Sequence, residues 1–158
     1  MPNLGDRPNL QLVQATFMET LRIGNNASQT IPHYTVKDTT LCGYRVPKDT
    51  IVIINLEAMH SDPLVWESPD VFYPHRHLDS EGQFIGGHGN LLPFGAGRRS
   101  CAGEAFGKTL LFMFLSCLLQ KFTFVAEEGK PPPSIKGARG VVLSPLPYKI
   151  RAIKRSKI

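Results

Sequence analysis

The chain has 158 residues, of which 42% are hydrophobic and 20% are charged, as is typical of a folded globular protein. This composition excludes a disordered or fibrous chain, and the length is sufficient for one domain with a hydrophobic core. The net charge of +5 lies partly in a basic tail over residues 149–157. Because no basic stripe is interleaved with aromatic residues, we expect no nucleic-acid binding.

The cysteine count and the hydropathy further limit the class of protein. Three cysteines without paired spacing argue against a disulfide framework and for a reducing compartment. Two of them, Cys42 and Cys117, are predicted to be small buried side chains. No apolar segment is long enough to span a bilayer, and the first residues lack the apolar core of a signal peptide.

The N-terminal half is predicted to contain one helix followed by short strands. Apolar residues recur at helical spacing from Leu10 to Arg22, with Asn9 as the N-cap. A β-hairpin is predicted with its turn at Lys37-Asp38. A β-branched strand from Ile51 to Asn55 and a short helix over residues 58–61 come next.

The C-terminal half is predicted to contain a long buried helix from Ala105 to Leu119, after an irregular polar stretch from Asp79 to Asn90. A strand over Phe122 to Val125 and a hairpin within Gly137 to Tyr148 follow. No repeat or second domain is visible. Residues 1–158 are therefore predicted to form one unit, mainly helical with small β-sheets, of the α+β class.

The most informative segment is the glycine-rich loop from Leu92 to Glu104, which places Cys101 next to two arginines and the start of the long helix. Backbone N–H groups, the helix dipole and nearby cations all favour a thiolate at such a junction. A thiolate can serve as a nucleophile, a redox thiol or a metal ligand. The glycine spacing matches neither a dinucleotide-binding fingerprint nor a phosphate-binding P-loop.

Three motifs follow one another along the chain. The first helix contains Glu19-x-x-Arg22, and Phe72-x-Pro74-x-Arg76 comes after the strands. The cysteine loop contains the third, Phe94-x-x-Gly97-x-Arg99-x-Cys101-x-Gly103. In this order, the motifs resemble those of the cytochrome P-450 family, the haem-thiolate monooxygenases. The chain looks most similar to the C-terminal part of microsomal members, such as steroid 17α-hydroxylases and related xenobiotic hydroxylases.

The resemblance implies an incomplete cytochrome P-450 fold that binds haem b, iron protoporphyrin IX. Cys101 would be the axial ligand of the haem iron, with no further catalytic side chain in the chain. Arg99 and His33 would bind the haem propionates. Phe94 would shield the sulfur, and the backbone at Gly95 and Gly103 would lie close to the macrocycle and the sulfur.

The resemblance also implies a structural triad and a substrate pocket. Glu19, Arg22 and Arg76 would form a buried carboxylate with two guanidinium groups, which is costly to break. His77 stands where the family usually has an aromatic residue, and we expect this to be a packing change only. The pocket above the haem would be lined by Ala27, Ile31, Val141 and Val142.

The function implied is the hydroxylation of a lipophilic substrate, such as a steroid or xenobiotic, with O₂. NADPH electrons would come through a flavoprotein reductase docked on the basic face that carries Arg98 and Lys108. The full-length parent would lie on the cytosolic face of the endoplasmic reticulum membrane, held by an upstream segment. Because the acid–alcohol pair of the family's central helix is not in this sequence, we expect the chain to be inactive alone.

Two alternatives of other classes remain open. One is a non-catalytic truncated product that binds haem or the reductase. The other is an enzyme that uses Cys101 as a nucleophile, which needs a base within reach. The candidate bases are His33, His60, His75, His77 and His88, and none has a motif partner that recommends it.

Overall fold

A computed structural model of the protein describes residues 2–138, 140 and 142–156. Helices α1 (Gln11–Gly24), α2 (Leu56–His60) and α3 (Glu104–Lys121) are joined by irregular segments. Short 3-10 helices occupy Leu4–Asn9, Pro74–His77 and Gly97–Arg99. Within the described ranges, no helix combines the length and the hydrophobicity that crossing a bilayer requires.

The strands form four antiparallel pairs rather than one large sheet. Strand β1 (His33–Tyr34) pairs with β4 (Ile51–Val52), and they enclose the hairpin of β2 (Thr39–Leu41) and β3 (Tyr44–Val46). Strand β5 (Phe122–Ala126) pairs with β8 (Ile150–Lys154), and β6 (Gly137–Ala138) pairs with β7 (Ser144–Pro145). The predicted fold class, helices with small β-sheets, is confirmed.

The first hairpin differs from the prediction in the place of its turn. The chain reverses at Cys42 and Gly43, which both have positive φ angles, 50° and 85°. Two such residues form the tight turn whose twist suits a two-residue hairpin. The side chain of Asp38 instead accepts hydrogen bonds from Arg45 and from the Lys48 amide. Cys42 is consequently exposed on the turn, and the prediction that it is buried is wrong.

The ends of two other elements also differ from the prediction. Asn9 does not cap α1, because it is the last residue of the preceding 3-10 helix, and Leu10 is the N-cap residue. The strand predicted to extend to Asn55 ends at Val52. Asn55 instead caps α2, where its Oδ1 accepts a hydrogen bond from the Ala58 amide over 2.9 Å.

The core lies between α1 and the segments that follow the strands. Phe17 and Met18 of α1 pack with Trp66 and Leu91. Helix α1 also packs against α3, and Ala15 of α1 and Phe112 of α3 are both fully buried. Most of α3 is nevertheless accessible, so the prediction of a buried helix is wrong for much of its surface. Burial depends on the layers packed around a helix, and among the described helices α1 provides the main packing surface for α3.

The Glu19 cluster is the buried polar centre of the fold. The Glu19 carboxylate is fully buried, and it accepts hydrogen bonds from Arg22 over 2.8 and 3.0 Å and from Arg76 over 3.1 Å. The backbone amide of Tyr73 donates a further bond over 3.0 Å. His77 Nε2 donates to Glu19 Oε2 over 3.0 Å. The cluster thus joins α1 to the 3-10 helix at Pro74–His77 through one carboxylate.

His77 is therefore more than a packing substitute, and the sequence-based expectation for it is wrong. The residue is 1% exposed, and its ring contacts the carboxylate directly. Burial by itself would raise the pKa of Glu19. The hydrogen bonds from His77, Arg22 and the Tyr73 amide, together with the charge of Arg22, outweigh burial and hold that pKa far below its usual range.

Replacing His77 by phenylalanine restores the usual aromatic residue but removes one donor from a buried carboxylate. We expect H77F to lower the free energy of unfolding by about 1–3 kcal/mol, measured by urea denaturation. H75F, on the exposed neighbouring histidine, is the control and should change it by less than about 0.5 kcal/mol. An H77F protein as stable as the unsubstituted chain would show that only the packing of the ring matters.

The lowered pKa of Glu19 also predicts how stability depends on pH. Below about pH 4.5 the unfolded chain protonates this carboxyl while the folded chain does not, so the stability that the cluster provides is present above that pH and lost below it. We expect the difference in the free energy of unfolding between the unsubstituted chain and E19Q to decrease as the pH falls from 6 to 3. E81Q, at an exposed carboxyl, is the control. A gap that is constant over this range would contradict the prediction.

Candidate functional site

The cysteine loop is a compact turn that ends where α3 begins. The amide of Cys101 donates to the Phe94 carbonyl over 2.8 Å, and the amide of Gly95 donates to the Leu92 carbonyl over 3.0 Å. Gly95 and Gly97 have φ angles of 76° and 73°, a conformation that glycine adopts without strain. These bonds fold the loop back on itself and leave Cys101 exposed.

Two further glycines lie next to the sulfur and the aromatic ring of the loop. A Cβ atom on Gly103 would lie 3.8 Å from Cys101 Sγ, so the backbone at Gly103 runs beside the sulfur. A Cβ atom on Gly107, in the first turns of α3, would lie 3.5 Å from the Phe94 ring. Both distances are ordinary van der Waals separations, so the sulfur lies beside the backbone of Gly103 and the Phe94 ring packs beside the first turns of α3.

One cavity of about 400 Å³ opens at this loop. It brings together five of the residues predicted to bind the cofactor: Cys101, Arg99, His33, Phe94 and Gly95. The sixth, Gly103, lies next to the sulfur but does not line the cavity. The remaining wall is mainly apolar and includes the predicted pocket residues Ala27 and Ile31, together with Leu56 and Met59 of α2. The cavity thus joins three distant parts of the sequence.

The other predicted pocket residues are placed differently. Val142 forms an isolated antiparallel bridge with Ala27, but it is 60% exposed and does not line the cavity. The bridge aligns the two backbones and leaves the Val142 side chain toward solvent. Val142 is therefore not part of this cavity, and its role in a substrate pocket stays a prediction. Val141 lies outside the described residues.

The donor groups in the cavity fit an apolar macrocycle that carries an iron atom and acidic groups. Over the described residues, the side chains of Arg99 and His33 form no hydrogen bond with the protein, so their donors are free to bind an anion. The thiol of Cys101 is a soft ligand suited to iron. No group of three or more His, Cys, Asp or Glu side chains in the described ranges is arranged to hold a metal ion directly. An iron atom at Cys101 would therefore need most of its ligands from the macrocycle.

The two basic residues near the loop have different surroundings. Arg98 is exposed and lies outside the cavity. Lys108 forms an ion pair with Glu104 over 2.6 Å, and its ammonium group lies 5.8 Å from the centre of the Phe94 ring. Part of the positive charge of Lys108 is therefore balanced within the first turns of α3.

His60 is the residue of this region that sequence reasoning missed. Its ring is 1% exposed, and Nε2 accepts a hydrogen bond from the Leu92 amide at the start of the cysteine loop over 3.0 Å. Burial, followed by the charge of Arg22, lowers the pKa of His60 to about 4, so the ring is neutral at neutral pH. The sequence indicates only an available base, since contacts 32 residues apart leave no periodic signal.

Comparison with known proteins identifies the family. Residues 1–152 match the family model for cytochrome P450. The chain is 41% identical over 154 residues to cytochrome P450 2U1 of Rattus norvegicus, covering 98% of this chain and 29% of that protein. It is 42% identical over 151 residues to the steroid 17-alpha-hydroxylase/17,20 lyase of Squalus acanthias, covering 95% of this chain and 30% of that protein.

Solved structures agree with the sequence relatives. A zebrafish cytochrome P450 solved with abiraterone superposes with a TM-score of 0.87 at 40% identity, covering 99% of this chain and 36% of the zebrafish chain. A zebrafish cytochrome P450 solved with progesterone gives a TM-score of 0.85 at 41% identity, covering 96% of this chain and 34% of the zebrafish chain.

The family match extends over nearly the whole chain, and the resemblance drawn from the three motifs is confirmed. The chain spans about three tenths of the length of the curated relatives it matches. By its sequence and by its fold, this chain belongs to the cytochrome P450 family.

Proposed function

We propose that residues 1–158 form the C-terminal portion of a P450 domain and bind haem b through the sulfur of Cys101. The observation that carries the proposal is one cavity lined by Cys101, Arg99 and His33 among mainly apolar residues, in which the side chains of Arg99 and His33 have no hydrogen-bond partner among the described residues. Membership of a family of monooxygenases supports the same assignment. The activity proposed for the parent protein is the oxygenation of a lipophilic substrate.

The residues of the cavity would divide the work of holding the haem. Cys101 would ligate the iron, and Arg99 and His33 would donate hydrogen bonds to the propionates. Phe94 would exclude water from the sulfur, while the backbone beside Gly95 and Gly103 would approach the macrocycle and the ligand. When bound, the haem supplies the chemistry that inserts an oxygen atom from O₂ into the substrate, and the protein sets its ligand and surroundings.

The relatives suggest the kind of substrate. One is named as a steroid hydroxylase, and zebrafish relatives were solved with progesterone and abiraterone. We propose a steroid or another lipophilic compound of similar size, contacting Ala27 and Ile31 on the apolar wall. Electrons from NADPH would come through a flavoprotein reductase that docks near Arg98 and Lys108. The parent protein would lie on the cytosolic face of the endoplasmic reticulum membrane.

A second candidate function is haem or reductase binding without turnover. The described cavity supplies groups that would hold the cofactor, and ligand binding by itself needs no more than these. The third possibility, a nucleophilic Cys101, finds no support in the site. Among the residues with described positions, no histidine forms a hydrogen bond with the sulfur.

Ligation by Cys101 is tested by replacing sulfur with oxygen. We expect the chain reconstituted with hemin, then reduced and exposed to CO, to give the strongly red-shifted Soret band of a thiolate-ligated haem. C101S should lose that band, whereas C42S, at an exposed turn outside the cavity, should keep it. A C101S protein with an unchanged spectrum would refute the proposed ligand.

The proposed propionate donors predict a change in haem affinity. Loss of a charge-assisted hydrogen bond weakens binding by about 1.5–3 kcal/mol, so R99L should release hemin roughly ten- to hundredfold faster. The measurement is the rate of hemin transfer to an acceptor protein in excess. R98L is the matched control, because Arg98 is adjacent and exposed but does not line the cavity. Equal rates for the two variants would contradict the assignment of Arg99.

A further inference from the structure

We propose that His60 is a positioning residue that fixes the start of the cysteine loop to the Glu19 cluster through an accepting nitrogen of its ring. The role in haem binding rests on the proposed function of that loop, whereas the hydrogen bonds themselves do not. The evidence comes from both sides of the histidine, from its burial and from the small number of bonds that hold the loop.

On one side, His60 is bound to the C-terminal end of α1. Arg22, which donates two hydrogen bonds to Glu19, also donates from Nη1 to the His60 carbonyl over 2.8 Å. The side-chain amide of Asn25, the residue that ends α1, lies 3.1 Å from His60 Nδ1. Asn25 has a φ angle of 28°, in the left-handed region that asparagine tolerates better than most residues. Both backbone and ring of His60 are therefore held by the same turn of α1.

On the other side, the Leu92 amide donates to His60 Nε2 over 3.0 Å. A neutral imidazole has one protonated nitrogen, so the proton must be on Nδ1, which donates to Asn25 Oδ1. The opposite orientation of the Asn25 amide would donate to the Ala27 carbonyl over 3.0 Å and to Nδ1 over 3.1 Å, and its oxygen would accept from the Glu57 amide over 3.1 Å. The Asn25 contacts taken alone favour that orientation. It would leave the ring with two accepting nitrogens and no proton, a form that neutral histidine does not have. The Leu92 amide is a backbone donor that cannot be reversed, so it is the contact that assigns the proton to Nδ1.

Among the residues that the structure describes, this bond is the one hydrogen bond that joins the loop backbone to an earlier, distant part of the chain. Over the described residues, the other hydrogen bonds made by the backbone of residues 92–103 stay within the loop or reach the first turns of α3. The hydrogen bond to His60 alone connects the loop to a segment that precedes it by tens of residues. Breaking it removes the loop's polar connection to α1 and α2.

The position of α2 gives this attachment a consequence for the cavity. Leu56 and Met59 of α2 line the same cavity as Cys101, and His60 is the next residue along the helix. The bond from Leu92 to His60 therefore fixes the separation between the wall that α2 supplies and the loop that carries the sulfur. A loop released from His60 would keep its internal turn, but its position relative to Leu56 and Met59 would no longer be fixed.

The first experiment reads the tautomer and the Leu92 hydrogen bond in the unmodified 158-residue chain by nitrogen-15 NMR. We expect the His60 proton on Nδ1, a lone pair on Nε2 and a slowly exchanging Leu92 amide. A ring protonated on Nε2 would overturn the proposal, because it could not accept from Leu92. This measurement needs neither haem nor a variant.

Two variants then separate the accepting atom from the bulk of the ring. H60Q can present an amide oxygen near the position of Nε2, whereas the shorter H60N reaches only the position of Nδ1. We expect H60N to speed exchange of the Leu92 amide about tenfold, as loss of one net hydrogen bond does, and H60Q to stay within about twofold of the parent. Amides of the β5–β8 pair serve as the internal reference for global unfolding.

The hemin-bound chains supply the second readout. We expect the fraction of haem with the red-shifted ferrous–CO band to fall in H60N and to be restored in H60Q. Equal exchange in both variants, or an H60N loop as protected as the parent, would overturn the proposal. If H60N does not fold, the proposal is judged from the His60 tautomer in the unsubstituted chain and from the protection of the Leu92 amide in H60Q. A ring protonated on Nε2, or a Leu92 amide in H60Q that exchanges about tenfold faster, would overturn it. If no chain ligates hemin through sulfur, the proposed function fails while the exchange data still test His60.

Discussion

The buried carboxylate of Glu19 is the interaction on which the rest of the structure depends. A carboxylate removed from water is costly unless several donors surround it, and here three side chains and one backbone amide do so. These donors come from α1 and from a segment more than fifty residues later in the chain. Correct folding of that segment is therefore a condition for burying Glu19 without loss of stability, and the requirement selects one arrangement of chain segments.

The same requirement reaches the cavity through shared side chains. Arg22 donates to Glu19 and to the His60 carbonyl, and the His60 ring accepts the first amide of the cysteine loop. Trp66, whose indole N–H donates to the neighbouring Met59 carbonyl, covers the Arg22 guanidinium at 5.3 Å from its ring centre. The position of the sulfur at Cys101 is thus connected to an ion cluster that it does not touch.

Features determined by local sequence could be predicted, and features determined by distant contacts could not. The helices α1 and α3 and the cysteine loop carry their signals in consecutive residues, through periodicity, glycines and a motif. The turn at Cys42-Gly43 was not predicted, because a cysteine with a positive φ angle has no local sequence signature. The roles of His77 and His60 escaped because each depends on a partner far along the chain, Glu19 in one case and Leu92 in the other. The exposure of α3 depends on which layers cover it, and periodicity does not report that.

The exposed surface of α3 has a practical consequence for the isolated polypeptide. Phe106, Leu110, Phe114 and Leu118 follow one another at intervals of four residues, so they form a continuous ridge, and Phe106 is 73% exposed. A ridge of this kind attracts other apolar surfaces in water. We therefore expect it to bind chaperones during expression and to promote precipitation at high concentration. Purification in a mild detergent, or below the concentration at which the ridge self-associates, would prevent association through this apolar surface.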